Sequence, residues 1–184
     1  MTVTRDSVDA GERVELCTFR VGGEDYAVDI MRVREIINPL PVTPVPRAPR
    51  FIEGVVRLRS EIIPVVDVRK RFGLPALAPT RKTKFLVVRI GGRRLALVVD
   101  EVTEVVRLAR SEIRPAPAFA DDGAPRFFLG VCGGEAASPR GGQPGARRGT
   151  GRLRLLLNVR ALLEGERAGE ADAARAQAEA ARDA

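Results

Sequence analysis

The feature that most constrains this chain is a repeat. Short Val- and Ile-rich segments bounded by Gly or Pro occupy Leu16 to Val21, Tyr26 to Ile30, Ile52 to Leu58 and Ile62 to Val68. The series then starts again with Lys84 to Ile90, Leu95 to Val99, Val102 to Leu108, Phe127 to Val131 and Leu153 to Val159. Gly22-Gly23 falls on Gly91-Gly92 at an offset of 69, and the same offset lays Val33, Glu35 and Ile36 on Val102, Glu104 and Val105. Farther along, Pro44-Val45-Pro46 is echoed by Pro115-Ala116-Pro117, Gly54-Val55 by Gly130-Val131, and Asp67-Val68-Arg69 by Asn158-Val159-Arg160. Two copies of one β unit are expected, mainly antiparallel because no long segment of 3.6-residue period separates the strands.

Each copy is about 60 to 75 residues long, too small for an open sheet to bury enough surface unless it closes on itself or packs on its twin. Two small barrels side by side meet both needs and remove most free strand edges. Val33 to Ile37 and Val102 to Val106 fit a helical turn by spacing and a strand by β-branching, and are assigned as strands. The expected division is a flexible start at 1–13, a first barrel at 14–74, a connector at 75–83 held extended by Pro75 and Pro79, and a second barrel at 84–165. A loop at 133–151 is inserted in the second barrel, since Gly54 to Asp67 spans 13 positions and Gly130 to Asn158 spans 28. Residues 166–184, rich in Ala, Glu and Arg, form a helix-prone tail without a broad apolar stripe. With 45% hydrophobic but only 4% aromatic residues, the core is expected to be aliphatic.

The chain contains no His, which removes Ser-His-Asp and Cys-His nucleophile pairs, histidine metal sites and a phosphorelay through a histidine of its own. Cys17 and Cys132 match no CxxC spacing and are read as buried or free thiols of a reducing compartment. Met1 to Glu12 lacks the order of a signal peptide, and the longest apolar stretches are too short to span a bilayer, so a cytoplasmic location is expected.

A net charge of +7 raises the alternative of a basic nucleic-acid-binding β-barrel protein. Of the 31 basic residues, however, many are arginines alternating with apolar residues, as in Arg57-Leu58-Arg59 and Arg152-Leu153-Arg154. That pattern reads as the outward face of strands, and no aromatic interleaving accompanies it. Among the acids, Glu53, Glu61, Asp67, Asp100, Glu101 and Glu104 include no pair set apart for acid/base work, and Asp67 and Asp100 fall at strand ends as turn or backbone acceptors. Only Asp121-Asp122 approaches an oxygen-rich cation loop, and the Gly-rich insertion carries no GxxxxGK[ST]. The remaining functional surface is one for partners. Arg59, at the end of a central strand and before a turn, is either a solvated residue or an interface anchor.

The motifs Tyr26-Ala27-Val28-Asp29-Ile30, Val33-Arg34-Glu35-Ile36, Pro46 to Pro49, Phe51 to Arg59, and Ile63-Pro64-Val65-Val66-Asp67-Val68-Arg69 resemble, in order and spacing, the CheW family of chemotaxis coupling proteins. The likeness continues through Leu97-Val98-Val99-Asp100, Ile113 to Pro117, Gly130, and Leu155 to Leu163. What the resemblance implies is two packed five-stranded SH3-like β-barrels and a scaffold with no enzymatic activity, cofactor or metal. Its implied partners are chemoreceptor cytoplasmic tips and the regulatory domain of the histidine kinase CheA, with no nucleic acid and with membrane proximity only through receptors. Carried over by motif, Val33, Glu35, Ile36, Gly54 and Arg59 fall where the family binds receptor and kinase. This chain departs from the family pattern Asn-Leu-Arg-Gly by reading Arg57-Leu58-Arg59-Ser60, so its turn after Arg59 lacks the usual glycine.

Overall fold

A computed structural model describes residues 12–75, 77–116, 127–133 and 152–164. The expected flexible start up to residue 11, nearly all of the inserted loop, the Asp121-Asp122 pair and the 166–184 tail lie outside the described residues. The strands are β1 (Arg13–Val21), β2 (Glu24–Asp29), β3 (Val33–Ile37), β4 (Ile52–Leu58), β5 (Glu61–Asp67), β6 (Lys84–Ile90), β7 (Arg93–Val99), β8 (Glu101–Ala109), β9 (Arg114–Pro115), β10 (Phe128–Gly133) and β11 (Leu153–Leu157). Two single-turn helices, α1 (Val68–Arg71) and α2 (Ala161–Glu164), follow β5 and β11. The architecture is mainly β, and both ambiguous segments are strands, as β-branching favoured.

The sheets do not follow the sequence halves expected at 14–74 and 84–165. One runs β8-β1-β2-β11-β10-β9 and the other β3-β6-β7-β5-β4, so each copy lends its first hairpin to the other copy's remaining strands. The physical reason lies in the exits from those hairpins. After β2, a 3-10 turn at Ile30–Arg32, capped by the Asp29 carboxylate on the Met31 amide at 2.8 Å, carries the chain across to the second sheet. Each hairpin joins its host by an antiparallel pairing on one side, β1 with β8 and β6 with β3, and by a parallel pairing on the other, β2 with β11 and β7 with β5.

Both sheets curl into barrel-like form by the same device. The chain leaving β3 returns to β4 through a bridge at Thr43 and Val55, whose two backbone hydrogen bonds are each 2.9 Å. The chain leaving β8 likewise returns to β10 through β9. Strand alternation then sorts side chains into three cores. Val56, Leu58, Ile63, Val65, Phe85, Val87, Ala96 and Val98 fill the five-stranded barrel. Leu16, Ala27, Cys132 and Leu156 fill the six-stranded one. The opposite faces of both exchanged hairpins, with Phe19, Tyr26, Val28, Leu86, Leu95 and Leu97 among them, form the largest core between the barrels.

The buried core is mainly aliphatic, as expected, and most of its few aromatic rings are gathered in the central core. Phe19 stacks on Tyr26, and Tyr26 stacks in turn on Phe72 and Phe128 with ring centroids 5.6 and 6.2 Å apart. Phe127 meets Phe72 edge-on. The rings are few in the sequence but gathered in one place, where flat faces fill the seam between two curved sheets. The expected outward alternation of Arg152-Leu153-Arg154 fails: Leu153 is 65% exposed while Arg154 is buried at 7%. Arg154 lies opposite Cys132 in the six-stranded barrel, and Glu104 Oε1 accepts a hydrogen bond from its Nη2 at 2.9 Å. A buried guanidinium is tolerable there because a carboxylate meets it. Arg57-Leu58 keeps the expected alternation, with Arg57 exposed and Leu58 buried.

Candidate functional site

The residues singled out from sequence lie on the five-stranded barrel. β3 is an edge strand paired only with β6, and a register shift between Val33 and Glu35 interrupts the ladder at Arg34. Val33 packs on the central core and Ile37 on the barrel core, while Ile36 faces out at 45% exposure. β4 and β5 close in a two-residue hairpin whose last pair is Leu58 with Glu61. The positive φ of that turn falls on Arg59 at +57°, not on Ser60, the position where the family pattern has glycine. A non-glycine residue held in the left-handed region is strained, and here the strain presents the Arg59 guanidinium to solvent.

Arg59 and Glu35, 24 positions apart in sequence, meet at 3.2 Å between Nη2 and Oε2. Arg59 is largely exposed, so the pair contributes no more than about 1 kcal/mol to stability. Its effect is to set the direction of both side chains. The other Glu35 oxygen lies 4.0 Å from Arg94 Nη1, and Arg94 also pairs with Glu61. A chain of alternating charge thus crosses one mouth of the barrel. On the same strands Ile36 and Ile62 are 45% and 69% exposed, each on the strand face opposite its charged neighbour Glu35 or Glu61. Isoleucines at such exposure lose nothing by being covered and gain about 25 cal/mol for each Å² removed from water.

Gly54 is placed differently from the other four. It is buried beneath Thr43 with φ +142°, and a Cβ there would stand 2.2 Å from the Thr43 carbonyl oxygen. The close approach made possible by its missing side chain is one within the chain, at the strand closure. Ile62 and Arg94 were not singled out from sequence, and Glu61 only among the acids weighed for catalysis. Strand alternation assigns Ile62 to the face opposite the buried Ile63 and Val65, and that phase was the available signal.

Each of the six carboxylates weighed for catalysis has a basic partner. Glu53 pairs with Lys70, Glu61 with Arg94, Asp67 and Asp100 with Arg69, Glu101 with Arg20 and Lys82, and Glu104 with Arg154. Asp67 and Asp100 also act as the backbone acceptors expected of them, from the Arg69 amide at 2.9 Å and the Gly22 amide at 2.7 Å. The Arg69 side chain, almost wholly buried, donates to both Asp67 oxygens at 3.0 and 2.8 Å and to the Leu77 carbonyl at 2.9 Å. The hydrogen bond to Asp67 pushes the Arg69 guanidinium above its ordinary value despite the opposing effect of burial. Burial pushes up the thiols of Cys17 and Cys132, which are both free and both in barrel or central cores. Among the described residues no group of three or more acids and cysteines is placed to hold a metal ion, and no helix is long and apolar enough to cross a membrane.

Comparison with known proteins matches residues 15–167 to the CheW-like domain. The chain is 38% identical over 117 residues to the chemotaxis protein CheW of Rhizobium meliloti, covering 64% of this chain and 76% of that one. It is 38% identical over 124 residues to the chemotaxis protein CheW of Klebsiella aerogenes, covering 66% and 75%. The crystal structure of the scaffolding protein TtCheW from Thermoanaerobacter tengcongensis superposes with a TM-score of 0.70 at 28% identity, over 84% of this chain and 95% of that one. These findings lend no support to the basic nucleic-acid-binding alternative.

Proposed function

This chain belongs to the CheW-like domain family, and from that membership we propose that it is a non-catalytic, cytoplasmic adaptor coupling chemoreceptor cytoplasmic tips to the regulatory domain of the histidine kinase CheA. The observation that carries the reading is Arg59, exposed at a left-handed turn and paired with Glu35, with Ile36 and Ile62 exposed on the strands that bear Glu35 and Glu61. Exposed arginine and aliphatic side chains on one barrel suit a protein partner. Val33, Glu35, Ile36 and Arg59 supply the surface. Gly54 supports it from beneath by letting the Thr43 segment close the barrel.

The test is co-sedimentation of the purified protein with receptor-bearing membranes and the kinase. Arg59→Glu and Ile36→Ser each lower recovery in the ternary assembly by several-fold, with urea midpoints close to that of the parent, because both side chains are exposed. Unchanged assembly and unchanged kinase control in both variants would remove this surface from the binding reaction.

A further inference from the structure

The internal repeat supplies its own control for reading charge. The β1–β2 hairpin carries Arg20-Val21-Gly22-Gly23-Glu24-Asp25, and the β6–β7 hairpin carries Arg89-Ile90-Gly91-Gly92-Arg93-Arg94 at the same offset of 69. The turns are alike, with both glycines at positive φ in each, as a two-residue turn of the I′ type requires. The charges are not alike. In the first hairpin Arg20 stands directly opposite Asp25 and makes an ion pair with it at 3.2 Å. In the second, Arg89 stands directly opposite Arg94.

Elsewhere among the described residues, directly opposed charges on paired strands have opposite sign: Glu15 with Arg107, and Arg20 with Glu101 as well as Asp25. Like charges face to face destabilise a ladder, so the Arg89 and Arg94 pairing runs against the rule the rest of the molecule keeps. Arg34, from the irregular point of β3, adds a third guanidinium. Together with Glu61 and Gly92 these residues line a hollow of about 420 Å³ at the barrel mouth. Arg94 is engaged by Glu61 and Glu35, whereas Arg34, Arg89 and Arg93 make no ion pair among the described residues.

We infer that this arginine-lined hollow is a docking site for an acidic segment of a partner protein, one that sets two or more carboxylates against Arg34 and Arg89. Planar guanidinium groups hold carboxylates through paired hydrogen bonds, and an occupant of negative charge turns the unfavourable Arg89 and Arg94 juxtaposition into a favourable one. A nucleic-acid backbone fits less well. No aromatic side chain lines the hollow for a base to stack on. The inference stands apart from the adaptor reading, because it predicts binding to an acidic peptide in the absence of receptor or kinase.

The experiment uses the full chain and a fluorescein-labelled octaglutamate peptide, with anisotropy read at about physiological ionic strength. Two variants of equal charge change are compared: Arg34→Glu/Arg89→Glu in the hollow, and Arg57→Glu/Arg81→Glu at exposed arginines outside its lining. The first pair weakens peptide binding by at least about tenfold and the second by less than about threefold, since a rim charge acts mainly at long range. Arg89→Glu alone, which places opposite charges across the ladder, leaves the melting temperature unchanged or raises it, so lost binding is separable from lost folding. Equal weakening by the two pairs would overturn the inference by reducing it to net charge. Tighter binding of an oligonucleotide of matched charge, lost through the same Arg34 and Arg89 changes, would also overturn it.

Discussion

Replacement of Gly54 by Ala tests the closure of the five-stranded barrel. The new methyl group would lie 2.2 Å from the Thr43 oxygen, 2.8 Å from its carbonyl carbon and 2.9 Å from a Val42 methyl. Backbone atoms cannot rotate away as a side-chain tip does, so the Thr43 segment must move off β4. That movement breaks the two closure hydrogen bonds, each 2.9 Å, at a net cost of about 1 kcal/mol apiece. Displacement in a packed site costs about 1–3 kcal/mol more. Holding Ala at φ +142° adds about 1–3 kcal/mol. The expected loss is at least about 4 kcal/mol, a large share of the roughly 5–15 kcal/mol of an ordinary domain. Gly130→Ala is the matched comparison. Its Cβ would meet the Arg114 oxygen at 2.6 Å but without a positive φ, so about 2 kcal/mol is expected. Urea unfolding followed by circular dichroism measures both, with equal m-values as the check that only stability has changed. A loss below about 1.5 kcal/mol for Gly54→Ala, or equal losses for the two variants, would refute the reasoning. So would a Gly54→Ala protein of parental stability that fails to assemble with partners, which would make the glycine a contact residue.

Arg59→Gly relieves the left-handed backbone and raises stability by about 1 kcal/mol in the same urea assay, while it lowers recovery with receptor and kinase. Asp67→Asn removes the nearer of the two carboxylates paired with the buried Arg69 guanidinium, leaving Asp100, and costs about 2–3 kcal/mol, read as a fall in the urea midpoint. Cys17 and Cys132 resist a thiol-specific disulfide reagent in the native protein near about pH 8 and react once urea exposes them. Because burial raises both thiols, the folded chain holds them neutral. Their contribution is complete below the unfolded thiol value of about 8.5 and is lost as pH rises toward the raised folded value. Stability therefore declines through the alkaline range, less steeply in Cys17→Ala than in the parent, as measured by urea midpoints against pH.

Much of the fold was legible because strand periodicity and the repeat act over short distances. The unbroken apolar runs Phe85 to Val88 and Leu95 to Val99 report two buried faces, and the central core is what covers the second face. Which copy receives each hairpin was not legible, since the repeat makes the two hosts equivalent in pattern and the choice rests on the exits after β2 and β7. Arg154 misled for a related reason. Its neighbours alternate as a surface strand does, and only Glu104, 50 positions away, makes its burial tolerable. Arg59 and Glu35 were named from the resemblance, but their meeting depends on β3 and the β4–β5 turn converging at one barrel mouth. Arg94 belongs to that mouth equally, and carries no motif that sets it apart.

The exchange of hairpins also sets an order on synthesis. Tyr26 and Ala27 find their strand partners in Leu155 and Leu156, so the first hairpin to leave the ribosome waits for nearly the last strand. Until then the outer edge of β2 is unpaired, and a nascent chain in that state is a natural client for chaperones.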